Sequence, residues 1–313
     1  MTCSAIIIAD SIGEDAPRLL TFELLLPRFI HAELMTHRVF SRNASSSRAI
    51  PASKMLLDIL ADVAKPAEWR MNERGMQGFT PAPETVVSQA EMIWSLAMAS
   101  ASGFAKQLDA LGLHKQHVNR IMEPFAHIRV VVTATQWKNW FGLRDHPDAD
   151  PTIQRLASLM KQAMDASTPT LLKRGQWHLP YVDAEAIQTC TDYANAASVL
   201  DLDRLHIRSD DRALTALEVM KRVSAARCAR TSYKSFTTNK ASEVLEDFDL
   251  FQKLVSADLI HASPTEHQAS PDFWMSRNKR WLTPQQHGNL NGWLQFRKSL
   301  PNENLDATVG AEF

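Results

Sequence analysis

Between residues 36 and 48 the chain reads Thr36-His37-Arg38-Val39-Phe40-Ser41-Arg42-Asn43-Ala44-Ser45-Ser46-Ser47-Arg48, crowding an imidazole, three guanidinium groups and several hydroxyls into one short stretch. Arginine presents a planar fork that can grip a phosphate bidentately, and neighbouring hydroxyls and backbone N–H groups can complete a cradle. The chemistry implied is anion binding. The segment alone also reads as a solvated turn with an arginine-rich face. Its Ser and Asn side chains compete with regular backbone bonding, so an ordered polar loop or a helix entry is expected over Ser41 to Arg48.

The rest of the composition says how such an anion must be held. Lys+Arg 34 against Asp+Glu 35 gives a formal net charge of -1, which leaves no global field for a nucleic acid polymer. A phosphate must therefore be gripped locally. The three cysteines, Cys3, Cys190 and Cys228, are scattered and lack metal-ligand spacing, which argues for a reducing compartment, against a disulfide framework and against a metal site. Arginines beside Cys228 would lower its pKa, but both it and Cys190 read as structural rather than nucleophilic. No apolar stretch approaches the roughly 20 residues needed to cross a bilayer. A cytoplasmic protein, or one of the host cytoplasm if phage-encoded, is expected.

Several elements must position the cluster. Ser4 to Ile12 reads as a first strand, and Arg18 to Leu26 as a strand with a buried middle ended by Pro27, followed by a helix from Arg28 to about His37. Residues 51–83 are punctuated by Gly and Pro and carry a short helix. From Glu84 to Leu111 apolar residues recur at helical spacing through Ile93, Ala97, Ala101, Phe104 and Leu108, and Gly112 is a plausible C-cap. A second helix over His114 to Met122, a strand over His127 to Thr135 and a helix over Thr152 to Ala166 follow. Asp183 to Asp211 weakens into polar residues and reads as a connector. Helices are expected over Arg212 to Arg227 and Phe248 to Leu259.

With these residues in view, the chain resembles the flavin-dependent thymidylate synthases, whose signature is Arg-His-Arg, seven residues, then Ser. His37, Arg38 and Ser46 keep that spacing, and Asn43 and Arg48 also match. Downstream, Asn119-Arg120-Ile121-Met122-Glu123-Pro124 is similar to the family's Ala-Arg-Ile-x-x-Pro, and Trp137 to Arg144 to its Asn-Phe-x-x-Leu-Arg segment. The resemblance implies an α/β (α+β) fold with a mixed or antiparallel sheet and long helices. It implies C5 methylation of dUMP with FAD as cofactor and methylenetetrahydrofolate and NADPH as co-substrates, in a homo-oligomer, either a tetramer or, if the chain is duplicated, a dimer. Arg144 and Ser46 would be catalytic. Glu33, Ser46, Ser47, Arg48, Arg120 and Arg144 would bind substrate, and His37, Arg38, Asn43 and Asn139 the flavin. Read singly, Asn139 is a capping residue, Arg120 a surface residue, and Arg144 a salt-bridge partner of Asp145 or Asp148. Classical thymidylate synthases add a cysteine thiolate at C6, but this chain has no Pro-Cys-Gln segment.

The C-terminal segments Ala229 to Tyr233 and His261 to His267 resemble the family's opening segments, yet here they follow the motif. A circular permutation explains this, with Ser232 and His267 as flavin contacts. An internal duplication is the alternative, since Arg297 and Glu303 repeat the family's spacing from its last motif arginine to an Asn-Glu pair. Glu303 would then supply the carboxylate missing at Ala44, or else belong to an exposed tail. The plan is a nucleotide- and flavin-binding lobe over 1–182, a connector over 183–211 and a second lobe over 212–313. Thr36 and Glu33 also depart from the family, where an arginine and commonly a glutamine stand. A dCMP methyltransferase, a dUMP or dCMP C5 hydroxymethylase, and a degenerate nucleotide- or partner-binding homologue are the competing expectations.

Overall fold

Strand β2 (Leu19–Pro27) places Leu20, Phe22, Leu24 and Leu26 on one side and Leu19, Thr21, Glu23 and Leu25 on the other, because successive side chains of a strand alternate. In the computed structural model, which describes residues 3–196, 215–231, 243–255, 260–301 and 303, β2 is the middle strand of a five-stranded sheet. Its order is β3 (Ser41–Ala44), β4 (His127–Ala134), β2, β1 (Ser4–Gly13) and β5 (Thr170–Leu172). Only the β1–β5 pair is parallel, so the sheet is mixed. Pro27, which cannot donate to the ladder, stands at the end of β2 opposite His127.

One face of this sheet is apolar. Phe22, Leu24 and Leu26 meet Ile128, Val130 and Val132 of β4 and pack under helix α6 (Pro151–Ala166) through Ile153, Leu156 and Met160. Trp137 and Trp140, on the short helix α5 (Lys138–Arg144) and the turn before it, close that core together with Phe40. A second apolar cluster forms where α2 (Ala52–Ala61), the long α3 (Glu84–Ala110) and α4 (Lys115–Met122) meet.

The other face carries a chain of polar groups. Ser11 Oγ lies 2.9 Å from His178 Nδ1, His178 Nε2 2.8 Å from Thr21 Oγ1, and Thr21 Oγ1 2.6 Å from Thr133 Oγ1. Thr133 Oγ1 in turn lies 2.8 Å from His267 Nδ1, and His267 Nε2 is 3.3 Å from the Asn43 amide. The chain crosses β1, β2, β4 and β3 in turn. It is roofed by α8 (Ala216–Arg230), by Tyr181 and by residues 263–271, whose strand β6 (Ala269–Pro271) pairs with β9 (Trp293–Gln295).

Several expectations change. Ser41 to Ala44 is neither loop nor helix entry but the edge strand β3, paired with β4. The helix after Pro27 is shorter than expected, a 3-10 turn over Arg28–Ile30 and α1 over His31–Met35. The supposed connector begins with helix α7 (Ala184–Ala196), whose Cys190 is buried against Val219 and Phe248 of α8 and α9 (Val244–Val255). Residues 197–211, and the parts of the expected later helices at 212–214 and 256–259, lie outside the described residues. Segment 260–301 is not apart from the first lobe, since Trp293 Nε1 donates to the Pro17 carbonyl and His178 bridges to Ala269.

Burial holds His178 and His267 neutral, lowering both to about 3 from the usual 6.5. A histidine whose folded pKa is depressed stabilises the fold above its unfolded pKa, and that stability is lost as pH falls through 6.5 toward the folded value. Between about pH 5.5 and 4 the pair should cost roughly 2.7 kcal/mol per pH unit. Urea unfolding across that range should be flatter by about one proton in His178→Gln and again in His267→Gln, and slopes equal to wild type would remove these imidazoles from the linkage.

Candidate active site

Arg144 closes helix α5, where a cation suits the negative end of the helix dipole. Its position is fixed from downstream. Asp150 caps α6 by accepting from the N–H groups of Thr152 at 2.8 Å and Ile153 at 3.3 Å, with Pro151 opening the helix. Asp145 is tied to the same helix through Ser158 and Lys161, so it is not the partner of Arg144. The guanidinium turns instead to residues i, i+3 and i+4 of the segment after β2. Its Nε donates to His37 Nε2 at 3.2 Å, Nη1 to Glu33 Oε2 at 3.4 Å and Nη2 to Thr36 Oγ1 at 3.4 Å.

His37 is buried with its ring stacked on Phe40 at 5.7 Å and edge-on to Trp140 at 4.8 Å. Because Nε2 accepts from Arg144, the ring is neutral with its proton on Nδ1. Burial first, then the cations of Arg144 and Arg42, hold its pKa below the usual histidine value. Arg42 curls back to donate to the carbonyls of Met35 at 2.6 Å and His37 at 3.3 Å, capping the end of α1.

Arg144 and Glu33 line a cavity of about 1100 Å³. Its opposite wall is an arm between α2 and α3 that sequence reasoning did not assign to the site. Trp69 and Arg70 of this arm face the cavity, and the arm is held by a short hairpin in which Met71 N donates to Thr80 O and Ala82 N to Trp69 O, each at 2.9 Å. A second cavity of about 1000 Å³ lies on the other side of α5, lined by Asn139, Thr135, Trp137, Phe141, Lys138 and Arg18.

The loop after β3 forms a separate cluster. Ser47 is buried and its Oγ donates to Glu123 Oε1 at 2.5 Å. Arg28 at 3.2 Å and Arg120 at 3.1 Å reach the same oxygen. Asn119 Nδ2 donates to the carbonyls of Ser47 at 2.7 Å and Ile50 at 3.0 Å, which fixes the turn carrying Ser46 and Arg48. Ser46 and Arg48 are exposed, as is Arg38. Arg28 and Glu123 were missed in the sequence, although Glu123 stands one turn after Arg120 and that spacing is a helical neighbour.

The expected residues thus fall into distinct groups. His37, Glu33 and Arg144 meet at one end of β3, and Ser46, Ser47, Arg48 and Arg120 gather at its other end. Asn139 faces the second cavity. His267 and Asn43 meet each other on the covered face of the sheet, where His267 is 0% exposed and its ring contacts are internal. In this chain His267 therefore roofs the sheet rather than opening onto either cavity. Arg297 and Glu303 pair at 3.1 Å, and Arg297 also binds Glu266, so Glu303 is engaged locally and does not stand in for the carboxylate absent at Ala44. Ser232 lies outside the described residues. Burial raises the thiol of Cys228 and raises Cys190 to about 11, which reverses the expectation that nearby arginines would activate Cys228.

The fold is a mixed sheet with long helices, and its candidate residues fall on one sheet edge and the turns beside it. Residues 18–170, just under half of the chain, match the Thy1 family, described as thymidylate synthase complementing protein. No curated protein sequence matches the chain. Among solved structures it is similar to the UMP/dUMP methylase PolB from Streptomyces cacaoi bound with 5-Br dUMP, with 16% identity and a TM-score of 0.43 over 52% of this chain and 89% of that one. It is also similar to the flavin dependent thymidylate synthase ThyX from Helicobacter pylori complexed with FAD and dUMP, with 18% identity and a TM-score of 0.33 over 47% and 67%.

The Arg144 contact has a spectroscopic consequence. Arg144→Ala removes one of the cations that depress His37, so the imidazole pKa, followed by NMR, should move upward. An unchanged titration would mean that the guanidinium does not sit on the ring.

Proposed function

We propose that the protein methylates C5 of a pyrimidine deoxynucleoside monophosphate, with dUMP as first substrate, methylenetetrahydrofolate as carbon donor, FAD as cofactor and NADPH as reductant. The observation that carries this reading is the loop at 45–50, where two exposed hydrophilic residues, Ser46 and Arg48, are set on a turn braced by Arg28, Arg120 and Asn119. Such a set suits a phosphate monoester.

Residues toward a flavin are also present. Thr135 Oγ1 is buried without a partner among the described residues and lines the second cavity beside Asn139, Trp137 and Phe141. An unpaired hydroxyl next to flat aromatic rings fits a conjugated ring with polar edges. Asn139 and Thr135 would hold the group there, and when reduced it supplies a hydride. Arg144 would face charge developing on the pyrimidine, and the neutral His37 keeps that guanidinium oriented without adding a competing cation.

Glu33 favours a second substrate. It lines the Arg144 cavity, and burial first, with Asp150 next, holds its carboxyl above the usual range. A carboxyl there accepts from or donates to a ring edge and would suit the exocyclic amine of dCMP.

The phosphate loop and the Arg144 group lie at opposite ends of β3, a separation of about 13 Å for a four-residue strand, so one nucleotide would draw them from different copies of the chain. Helix α3 supplies a surface for that. Its buried side runs through Trp94, Met98, Ala101, Ala105 and Leu108, whereas Val86, Ile93, Leu96, Phe104 and, just past the helix end, Leu111 are exposed along the adjoining flank. Of the residues read at helical spacing, Ile93 and Phe104 face outward while Ala101 and Leu108 pack inward. At about 100° per residue, Glu84, Glu91, Lys106 and Asp109 all fall away from the exposed apolar flank. Val86 and Ile93 mirror Phe104 and Leu111 about Ala97 and Ser100, the symmetry that an antiparallel two-fold pairing of identical helices requires.

Three measurements follow. Purified protein given FAD should show flavin absorbance and, with NADPH as reductant, convert dUMP and methylenetetrahydrofolate to a product heavier by a methyl group; a colourless, inert protein would favour a degenerate homologue, and a hydroxymethyl mass the hydroxymethylase. Arg48→Ala should weaken dUMP binding by about 1.5–3 kcal/mol. In sedimentation, Ile93→Glu with Phe104→Glu should yield monomer, and an unaltered oligomer would exclude α3 from the interface.

A further inference from the structure

Glu123 is a carboxylate at the centre of a cationic cluster, and its geometry is unusual for a simple surface ion pair. One oxygen, Oε1, receives Ser47 Oγ at 2.5 Å, Arg28 Nη2 at 3.2 Å and Arg120 Nη1 at 3.1 Å, while Oε2 receives Arg120 again at 3.3 Å. Its side chain is 18% exposed, whereas that of Arg120 is 57% exposed, so the carboxylate sits behind the guanidinium and not in front of it. The three donors come from separate elements: Arg28 from the turn after β2, Ser47 from the loop after β3, and Arg120 from α4. Arg28 is itself anchored by its backbone N–H to the Ala126 carbonyl at 2.9 Å.

Two guanidinium groups brought this close repel one another, and each has several rotamers of similar energy. A shared carboxylate removes the repulsion and selects one rotamer for each. It occupies only some of the five N–H donors on each arginine, so the remaining edges stay free. Against Arg28, Arg48 and Arg120 the loop carries this one carboxylate, which leaves a net positive field matched to a phosphate monoester of charge about −1.5 to −2. We infer that Glu123 is a positioning residue of the phosphate site: from behind, it aligns Arg28, Arg120 and the Ser47 turn so that Ser46, Arg48 and the outer edge of Arg120 face the phosphate of the nucleotide. This rests on the nucleotide reading above and adds to it a residue that contacts no substrate atom.

The alternative roles move different observables. A carboxylate that merely competes with the phosphate would be repulsive, so its removal would tighten anion binding. A carboxylate that only supports the fold would affect every ligand alike. Calorimetric titration of Glu123→Gln, which keeps the shape and loses the charge, and of Glu123→Ala should show dUMP affinity lower by about tenfold or more, with deoxyuridine, which lacks the phosphate, changed by less than about twofold. Arg120→Ala combined with Glu123→Ala should lose less dUMP affinity than the two single losses added together, because part of the carboxylate's effect acts through that arginine and part through Arg28 and the Ser47 turn. Unchanged or improved dUMP affinity in Glu123→Gln, or an equal loss for deoxyuridine, would overturn the assignment. If the wild-type protein binds no pyrimidine monophosphate, the proposed function falls by itself. Inorganic phosphate titrated against wild type and Glu123→Gln then decides the positioning role: weaker binding in the variant supports it, and equal or tighter binding removes it.

Discussion

The sheet has one face that water never needs to reach and another whose hydroxyls must find partners inside the protein. Thr21 and Thr133 are directly opposed on β2 and β4 and fully buried, so leaving either hydroxyl unpaired would cost about 1–3 kcal/mol. Two imidazoles complete their bonding, His178 toward β1 and His267 toward β3. The requirement reaches far along the chain, because His267 lies more than a hundred residues beyond Thr133. Satisfying one hydroxyl pair therefore fastens the C-terminal segment to the motif strand. It also sets the charge state: a protonated imidazole in this dry seam would lack a counter-ion, and both rings stay neutral.

From that seam the site geometry follows. Asn43, oriented to donate to the carbonyls of Arg42 and Ser263, locks β3 to the 263–267 turn. With β3 fixed as an edge strand, its two flanking turns are held apart, one presenting His37 to Arg144 and the other presenting Ser46 and Arg48 to solvent. A loop in place of that strand would have let the two clusters collapse together. The strand keeps the cationic turn and the aromatic-lined guanidinium of Arg144 apart.

Much of this was legible from residue patterns. The buried-middle run over Arg18 to Leu26 ended by Pro27 and the β-rich run over His127 to Thr135 predicted the central strands, and the helix expected over Thr152 to Ala166 is α6, which begins one residue earlier at Pro151. Ser41–Ala44 was misread because three polar residues and an alanine carry no apolar alternation; the strand exists because β4 offers an unpaired edge and Thr133 stands opposite Ser41. Residues 184–196 were read as a connector because polar residues break up their small apolar ones, with Cys190 as the deepest point of the helix. The apolar spacing on α3 marked the helix but not its inner side, because Ile93 and Phe104 recur at the same period as Ala101 and Leu108. Its true inner side is marked by Trp94, whose Nε1 donates to the Ala64 carbonyl at 2.9 Å.

Thr36 shows why a departure from a family pattern need not mean loss of a site. An arginine at that position would place a second guanidinium within reach of Arg144, in a partly buried setting where like charges repel strongly. Threonine instead offers a hydroxyl that accepts from Arg144 and donates a hydrogen bond to the Glu33 backbone carbonyl at 2.7 Å. The swap is coupled to Glu33, because a carboxylate beside Arg144 neutralises one guanidinium but could not neutralise two. Thr36 and Glu33 are thus best understood as one compensated pair. The same logic applies at the other end of β3, where Glu123 balances Arg28 and Arg120. In both places a single carboxylate sets how many arginines the turn can hold and which way they point.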